Sequence, residues 1–81
     1  MEEDLTHEYS VCQFFIDGSH DYELRFVAPG TAIKAFTRLT RSIGAKIGTT
    51  KSVIITDGGD CTNMEWQHGR GITFPPELVG K

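Results

Sequence analysis

The spacing of apolar and polar residues predicts a β-hairpin near the start of the chain. Residues 9–16 are rich in aromatic and β-branched side chains, which favour strands. Residues 22–26 alternate apolar and charged side chains with a period of two, as a half-buried strand does. Between them, residues 17–20 include Asp, Gly and Ser, whose backbone preferences and local hydrogen bonds favour a turn. Strand, turn and strand together predict the first hairpin.

A helical period follows this hairpin. Pro29 and Gly30 are expected to end the second strand, and Thr31 is placed to cap a helix. Apolar residues then recur at intervals of three and four, which predicts an amphipathic helix. Gly48 is expected to end this helix, with Gly44 as an earlier alternative. The predicted apolar stripe consists of Ile33, Phe36, Leu39 or Thr40, Ile43 and Ile47.

The last third of the chain predicts a second hairpin. Residues 52–56 form a short apolar strand, and residues 57–60, with two acids around two glycines, are a strong turn signal. Residues 62–68 then alternate between one more apolar face and one polar face, as a fourth strand does. Residues 69–71 break this strand, and residues 72–74 could form a last short extended segment. Pro75 and Pro76 prevent further sheet pairing after it.

These elements predict an α+β domain with the element order ββαββ. We expect a two-layer fold in which one amphipathic helix packs on one face of a four-stranded, mainly antiparallel sheet. All 81 residues are expected to form a single domain, with residues 1–7 as a flexible acidic arm and residues 75–81 as an extended tail. The first and third strands are expected to be central. The side chains expected to face the helix are Tyr22, Leu24, Phe26, Met64 and Trp66.

The second face of the sheet also needs a cover. Residues 14–16 and 53–55 are apolar on both sides of their strands, and one helix cannot shield both faces. Either the segment from residue 72 to residue 79 folds back over this face, or a second copy of the chain packs there as a homodimer. Trp66 is expected in the core, with an outward-facing interface anchor or stacking platform as the alternative. The candidate interface residues are Phe14, Ile16, Trp66 and Phe74.

Charge is distributed unevenly along the chain. The net charge is −3, yet residues 31–51 hold five basic residues and no acidic one. These bases predict a surface that binds an acidic protein partner, with nucleic-acid phosphates as the alternative. A third interpretation is a solvated helix face that pairs with the acids of the arm, Glu2, Glu3 and Asp4. The candidate partner-binding residues are Lys34, Arg38, Arg41, Lys46 and Lys51.

The residues that could carry chemistry do not form a recognisable motif. Cys12 and Cys61 match no zinc or redox spacing and are expected to be buried or half-buried free thiols, with a disulfide between them as the alternative. His7, His20 and His68 fall in the arm, a turn and a strand end. The acidic turn at residues 57–60 has too few ligands for calcium, and residues 69–71 do not open a helix as a phosphate loop does. We therefore expect no catalytic residue, metal or cofactor.

The sequence alone thus predicts a binding protein more readily than an enzyme. Its longest apolar runs contain three residues, far below the roughly 20 that a membrane-spanning helix needs, and a cytoplasmic location is expected. The leading hypothesis is a small non-enzymatic binding or regulatory module that contacts a protein through its basic helix face and self-associates. The alternatives are a nucleic-acid-binding protein that uses the basic helix, and a small enzyme or ligand-binding protein.

Overall fold

Five antiparallel strands form an open sheet with two helices on one face in the computed structural model, which describes residues 7–59 and 61–74. The spatial strand order is β2-β1-β3-β4-β5, so the helices connect an edge strand to the central one. The predicted α+β class and the helix on the sheet are confirmed, whereas four strands and the order ββαββ are wrong. The elements are β1 (Tyr9–Phe15), β2 (His20–Val27), α1 (Pro29–Thr40), α2 (Ile43–Ile47), β3 (Thr50–Thr56), β4 (Thr62–Gln67) and β5 (Gly71–Phe74).

The fifth strand arises from a turn that the sequence pattern suggested only as a break. Gly69 adopts a φ of 83°, and the N–H of Arg70 donates to the carbonyl of Gln67, so the chain reverses after β4. Ile72 then pairs with Trp66, and β5 becomes an edge of the sheet. As predicted, β1 and β3 are both interior strands.

A bulge in β2 changes which side chains face the helices. Val11 pairs with Leu24, but the next residue, Cys12, pairs with Tyr22, so Glu23 is an extra residue in β2. An extra residue shifts the alternation of faces, because side chains in a strand point to opposite sides in turn. Leu24 therefore faces the helices as predicted, whereas Tyr22 lies on the opposite face.

A second irregularity removes Phe26 from the predicted core set. It lies where the pairing of β1 with β2 shifts again, between Tyr9 and Val11. Phe26 has a φ of 57°, its N–H donates to Ser10 Oγ at 3.2 Å, and its side chain is 60% exposed. A positive φ is unusual for an aromatic residue, and the surrounding pairing holds it there.

α1 begins and ends earlier than its apolar pattern predicts. Pro29 is the first helical residue after the extended Ala28, a position that suits proline because its missing N–H would have no helical partner. Thr31 therefore lies inside the first turn and does not cap the helix. α1 ends at Thr40, because Arg41 leaves the helical region with φ −108° and ψ 4°.

α2 is a separate short helix with its own caps. Ser42 is extended, and its hydroxyl accepts a hydrogen bond from the N–H of Ala45 at 3.1 Å. Gly48 ends α2 in the left-handed region at φ 94°, which confirms the predicted stop. On the sheet side, His68 Nδ1 lies 2.7 Å from the carbonyl of Ala45. Because a carbonyl only accepts, Nδ1 carries the proton, and this bond ties α2 to the end of β4.

Phe36 and Leu39 of the predicted apolar stripe are buried, whereas its three isoleucines are exposed. Ile33, Ile43 and Ile47 are 50%, 76% and 71% exposed. Two alanines in α1 lie against the sheet instead, and their small side chains allow close packing. The buried core consists of Val11, Ala32, Ala35, Phe36, Leu39, Val53 and Ile55, with Leu24, Met64, Trp66 and Ile72 among the half-buried residues packed on it.

The turn between β3 and β4 lies where the sequence predicts it. Asp57 Oδ1 accepts hydrogen bonds from the N–H groups of Gly59 at 2.9 Å and Cys61 at 3.1 Å. Cys61 is exposed beside this turn, so its predicted burial is wrong, whereas Cys12 is buried as predicted. Both cysteines are free, and the disulfide alternative is not formed.

Part of the sequence-based interpretation lies outside the described residues. This holds for residues 1–6 of the predicted arm, for the predicted tail at residues 75–81 and for Asp60 in the acidic turn. Within the described ranges, neither helix has the length and apolar composition needed to cross a membrane.

Candidate functional site

The helices leave part of their own side of the sheet uncovered. α1 packs against β1, β2 and β3, and α2 packs against β3. On β4 and β5, Met64, Trp66 and Ile72 face the same side but are only half-buried. A groove with an apolar floor therefore runs between α1 and the β4–β5 hairpin, and we refer to it as the α1 groove.

The α1 groove consists of two adjoining cavities that share Ile33 and Met64. The cavity near the start of α1 has a volume of about 210 Å³ and is lined by apolar residues such as Tyr9 and Pro29. The cavity near the end of α1 has a volume of about 300 Å³, and its walls include Trp66. Together they follow the whole length of α1, which is about 18 Å for its 12 residues.

One charged residue lies among the described walls of this groove. Arg41 lines the cavity near the end of α1, is exposed, and makes no ion pair within the described part of the chain. Among the described residues that line the two cavities there is no acidic side chain. The groove therefore combines an apolar floor and one cation that is available to a ligand with the neutral polar side chains of Thr37, Thr40 and Asn63.

The structure separates the five predicted partner-binding bases. Lys34 and Arg38, one helical turn apart, lie on the side of α1 towards β2, where Arg38 Nη2 contacts Glu23 Oε2 at 2.7 Å. Lys46 is exposed on α2, and Lys51 lines a depression on the opposite face of the sheet. Arg41 alone reaches the α1 groove. The five bases do not form one stripe, and their role in partner binding stays a prediction.

The four candidate interface residues also lie on different surfaces. Trp66 faces the helices in the α1 groove. Phe14 and Phe74 line the depression on the opposite face, and Ile16 is 68% exposed beyond the end of β1. A single interface could not contain all four, and self-association stays a prediction.

The face of the sheet away from the helices, which we call the open sheet face, carries two rows of paired residues. Its depression has a volume of about 680 Å³. Paired residues of neighbouring antiparallel strands share a face, so the strand register defines both rows. One row is Tyr22, Cys12, Ile54, Glu65 and Phe74, and the other is His20, Phe14, Ser52 and Gln67.

A chain of ring contacts on the open sheet face joins Phe14, a candidate interface residue, to His20 and Tyr22, which the sequence analysis did not select as site residues. The ring centroids of Phe14 and His20 are 5.7 Å apart, and those of His20 and Tyr22 are 6.0 Å apart. The guanidinium carbon of Arg25 lies 4.5 Å from the centre of the Tyr22 ring, within range of a cation–π interaction. Phe14 and His20 flank the first turn in the sequence, and a hairpin there pairs them. This was the signal that could have identified the cluster.

Among the described titratable side chains, Cys12 and Asp57 have pKa values shifted by their local surroundings. Burial raises the pKa of the Cys12 thiol, which keeps it protonated and unreactive. Hydrogen bonds from the side chain of Asn63, and from the N–H groups of Cys61 and Gly59, lower the pKa of Asp57. Burial therefore accounts for the pKa shift of Cys12, and the hydrogen bonds of the turn account for that of Asp57. Within the described ranges, His, Cys, Asp and Glu residues form no cluster of three or more that could hold a metal.

Comparison with known proteins leaves the geometry as the basis for any functional assignment. No protein-family model, curated protein sequence or solved structure matches this chain.

Proposed function

We propose that this protein is a non-enzymatic binding module that receives an acidic, amphipathic segment of a partner protein in the α1 groove. The observation that carries the proposal is the groove with an apolar floor and with Arg41 as the charged residue among its described walls. A ligand that fits must bury apolar side chains and place a carboxylate near one end of α1. An amphipathic segment with acidic residues meets both requirements.

The dimensions of the groove favour a helical segment. Helix-in-groove recognition places side chains from one face of the ligand, at i, i+3, i+4 and i+7, along an apolar cleft. A cleft that follows the 12 residues of α1 accommodates about three turns of such a helix. Burial of its apolar face on Met64, Trp66 and Ile72 supplies the affinity, and Arg41 supplies the orientation.

The sequence-based alternative, nucleic-acid binding through the basic helix, has weaker support. Arg38 is already paired with Glu23, and Lys51 lies on the other face of the sheet. The remaining cations are spread over α1, its end and α2, so a phosphate backbone would meet few of them at once.

Trp66 makes the proposal directly testable, because it is the one tryptophan of the chain and it lines the groove. The probe is a synthetic helix of about three turns with leucines on one face and glutamates on the other, and the control peptide has lysines in place of the glutamates. We expect the acidic peptide alone to shift the emission of Trp66 as it covers the indole. Binding of both peptides with equal affinity would contradict the role of charge.

Two charge reversals on opposite sides of the α1 segment distinguish binding in the groove from a general effect of net charge. Arg41→Glu is expected to weaken binding of the acidic peptide by about tenfold or more, since a charge-assisted hydrogen bond is lost and a repulsion is added. Lys34→Glu makes the same change in net charge on the side away from the groove and is expected to have a much smaller effect. Equal losses in the two variants would overturn the proposal.

A further inference from the structure

The open sheet face presents aromatic rings to solvent in a continuous arrangement. Tyr22 is 42% exposed, its ring meets the ring of His20 in an edge-to-face contact, and the guanidinium carbon of Arg25 lies 4.5 Å from its centre. Phe14 continues the arrangement beyond His20 towards the middle of the sheet. Exposed aromatic faces that follow one another are what nucleobases stack on in proteins that bind single strands.

The depression beside these rings has the size and the lining of a ligand site. Its volume of about 680 Å³ falls within the range of small-molecule sites, roughly 300–1,000 Å³. Phe14, Ile54 and Phe74 give it apolar and aromatic walls. Ser52 and Gln67 lie between them and offer hydrogen-bond donors and acceptors, as recognition of the edge of a base requires.

The charges on this face suit a ligand with few phosphates. Lys51 lines the depression, Arg25 lies over Tyr22, and neither makes an ion pair within the described ranges. Glu65 is the acid among the described residues that line the depression, and its Oε2 already accepts a hydrogen bond from Gln67 Nε2 at 3.0 Å. Two cations therefore flank the rings at separate places.

We infer that the open sheet face binds single-stranded nucleic acid. One base occupies the depression against Phe14 and Phe74, and its neighbour stacks on Tyr22, while Lys51 and Arg25 contact phosphates. The rings extend beyond the depression, so a strand uses more of the surface than a free nucleotide does. Bases in a duplex are stacked on each other and cannot reach the rings. This inference is independent of the proposed function, which concerns the other side of the sheet.

The test is fluorescence anisotropy with labelled single-stranded oligonucleotides of about ten nucleotides, a length in the range that small single-strand-binding domains cover. Free mononucleotides and a blunt duplex of the same sequence serve as competitors. We expect the unlabelled single strand to compete at least about tenfold better than either, because each additional stacked base adds affinity. The logarithmic salt slope is expected to be shallow, about −1.4 for two phosphate contacts on a single strand.

Variants with matched controls assign the binding to this face. Tyr22→Ala is expected to weaken oligonucleotide binding by about tenfold, as loss of a stacking ring does. Lys51→Glu is expected to weaken it by about tenfold as well, while Lys46→Glu, the same charge change on α2, leaves it within about twofold. Circular dichroism and thermal melting check that each variant is folded.

Every other outcome overturns the inference. Equal competition by mononucleotides would indicate a nucleotide pocket, equal effects of Lys51→Glu and Lys46→Glu would indicate non-specific charge, and no binding at low salt would exclude the site. Binding of the acidic helical peptide to the α1 groove is a separate measurement. Because Tyr22 is remote from that groove in the sheet, failure of one proposal is distinguishable from failure of the other.

Discussion

Gly48 shows how one residue decides where an element can end. Its φ of 94° is a conformation that side chains rarely adopt, and an added Cβ would lie 3.2 Å from His68 Nε2. Gly48→Ala is therefore expected to lower the free energy of unfolding by about 1–2 kcal/mol, measured by chemical denaturation. Gly30→Ala is the matched control, because Gly30 is helical and an added Cβ meets nothing within 4 Å. It should leave stability unchanged or raise it by up to about 1 kcal/mol, and equal losses in both variants would refute the argument.

The contribution of Asp57 to the stability of the turn between β3 and β4 depends on pH. Its pKa lies below the ordinary value, because hydrogen bonds from Asn63, Cys61 and Gly59 favour the carboxylate in the folded state. Its contribution to stability is therefore present above the unfolded pKa of about 3.9 and is lost as pH falls through the lower, folded value.

Asp57→Asn keeps an oxygen acceptor but removes the charge. The melting temperature of this variant is expected to lie below that of the original protein near pH 7, with the gap closing as pH falls below about 4. Thermal melting followed by circular dichroism from acidic to neutral pH measures this gap. A gap that is independent of pH would show that the charge of Asp57 does not contribute.

At the scale of elements, Ser42 sets the boundary between α1 and α2. Its Oγ accepts from the N–H of Ala45 at 3.1 Å and donates to the carbonyl of Leu39 at 2.8 Å, so it joins the end of one helix to the start of the next. Ser42→Ala is expected to lower the free energy of unfolding by about 1 kcal/mol, and Ser42→Asn, which retains a capping oxygen, by clearly less. Chemical denaturation of the pair measures the cap, and equal losses would show that it contributes nothing.

The elements that the sequence predicts well are those with a local signal. The first two strands, the acidic turn and Gly48 as a stop follow from residues close together in the chain. The break after Thr40 does not, because Ile43 and Ile47 continue the helical spacing across it. α2 packs on β3, and the carbonyl of Ala45 in α2 accepts a hydrogen bond from His68. Only these contacts reveal that Ile43 and Ile47 lie outside the buried stripe.

The wrong predictions for Tyr22 and Phe26 also arise because a local pattern does not contain the contacts made by a distant part of the chain. Tyr22, Leu24 and Phe26 alternate with a strict period of two, and an ideal strand would place all three on one face. Pairing with β1 introduces two irregularities into β2. Of these three residues, only Leu24 then packs on the helix side. A bulge is decided by the partner strand, so the pattern within β2 could not show it.

At the scale of the whole molecule, strand order decides what each candidate residue can do. The five bases between residues 31 and 51 are one group in the sequence, but the fold sends Arg41 to the α1 groove and Lys51 to the open sheet face. The groove itself exists because β4 and β5 extend the sheet beyond the reach of α1. No local pattern contains that information, which is why the sequence identified the cations but did not predict the α1 groove.

The position of the two surfaces on opposite sides of one sheet leads to a prediction about the complete protein. If each surface binds as proposed, peptide and oligonucleotide occupy the protein together without direct contact. Both ligands are anionic, but packed layers are separated by about 10 Å, which exceeds the Debye length of about 8 Å at 0.15 M salt. We therefore expect a saturating concentration of the acidic peptide to change the oligonucleotide dissociation constant by less than about twofold.

Anisotropy titrations of the oligonucleotide, with and without the peptide, measure this coupling at two salt concentrations. At about 0.01 M salt the Debye length grows to about 30 Å, and mutual repulsion should then weaken the second ligand measurably. The reverse titration, which follows Trp66 while oligonucleotide is present, must give the same factor, because coupling between two sites is reciprocal. Full competition at 0.15 M salt would mean that the two ligands share one surface. Trp66, which faces the helices, and Tyr22, which faces away from them, would then not report on separate sites.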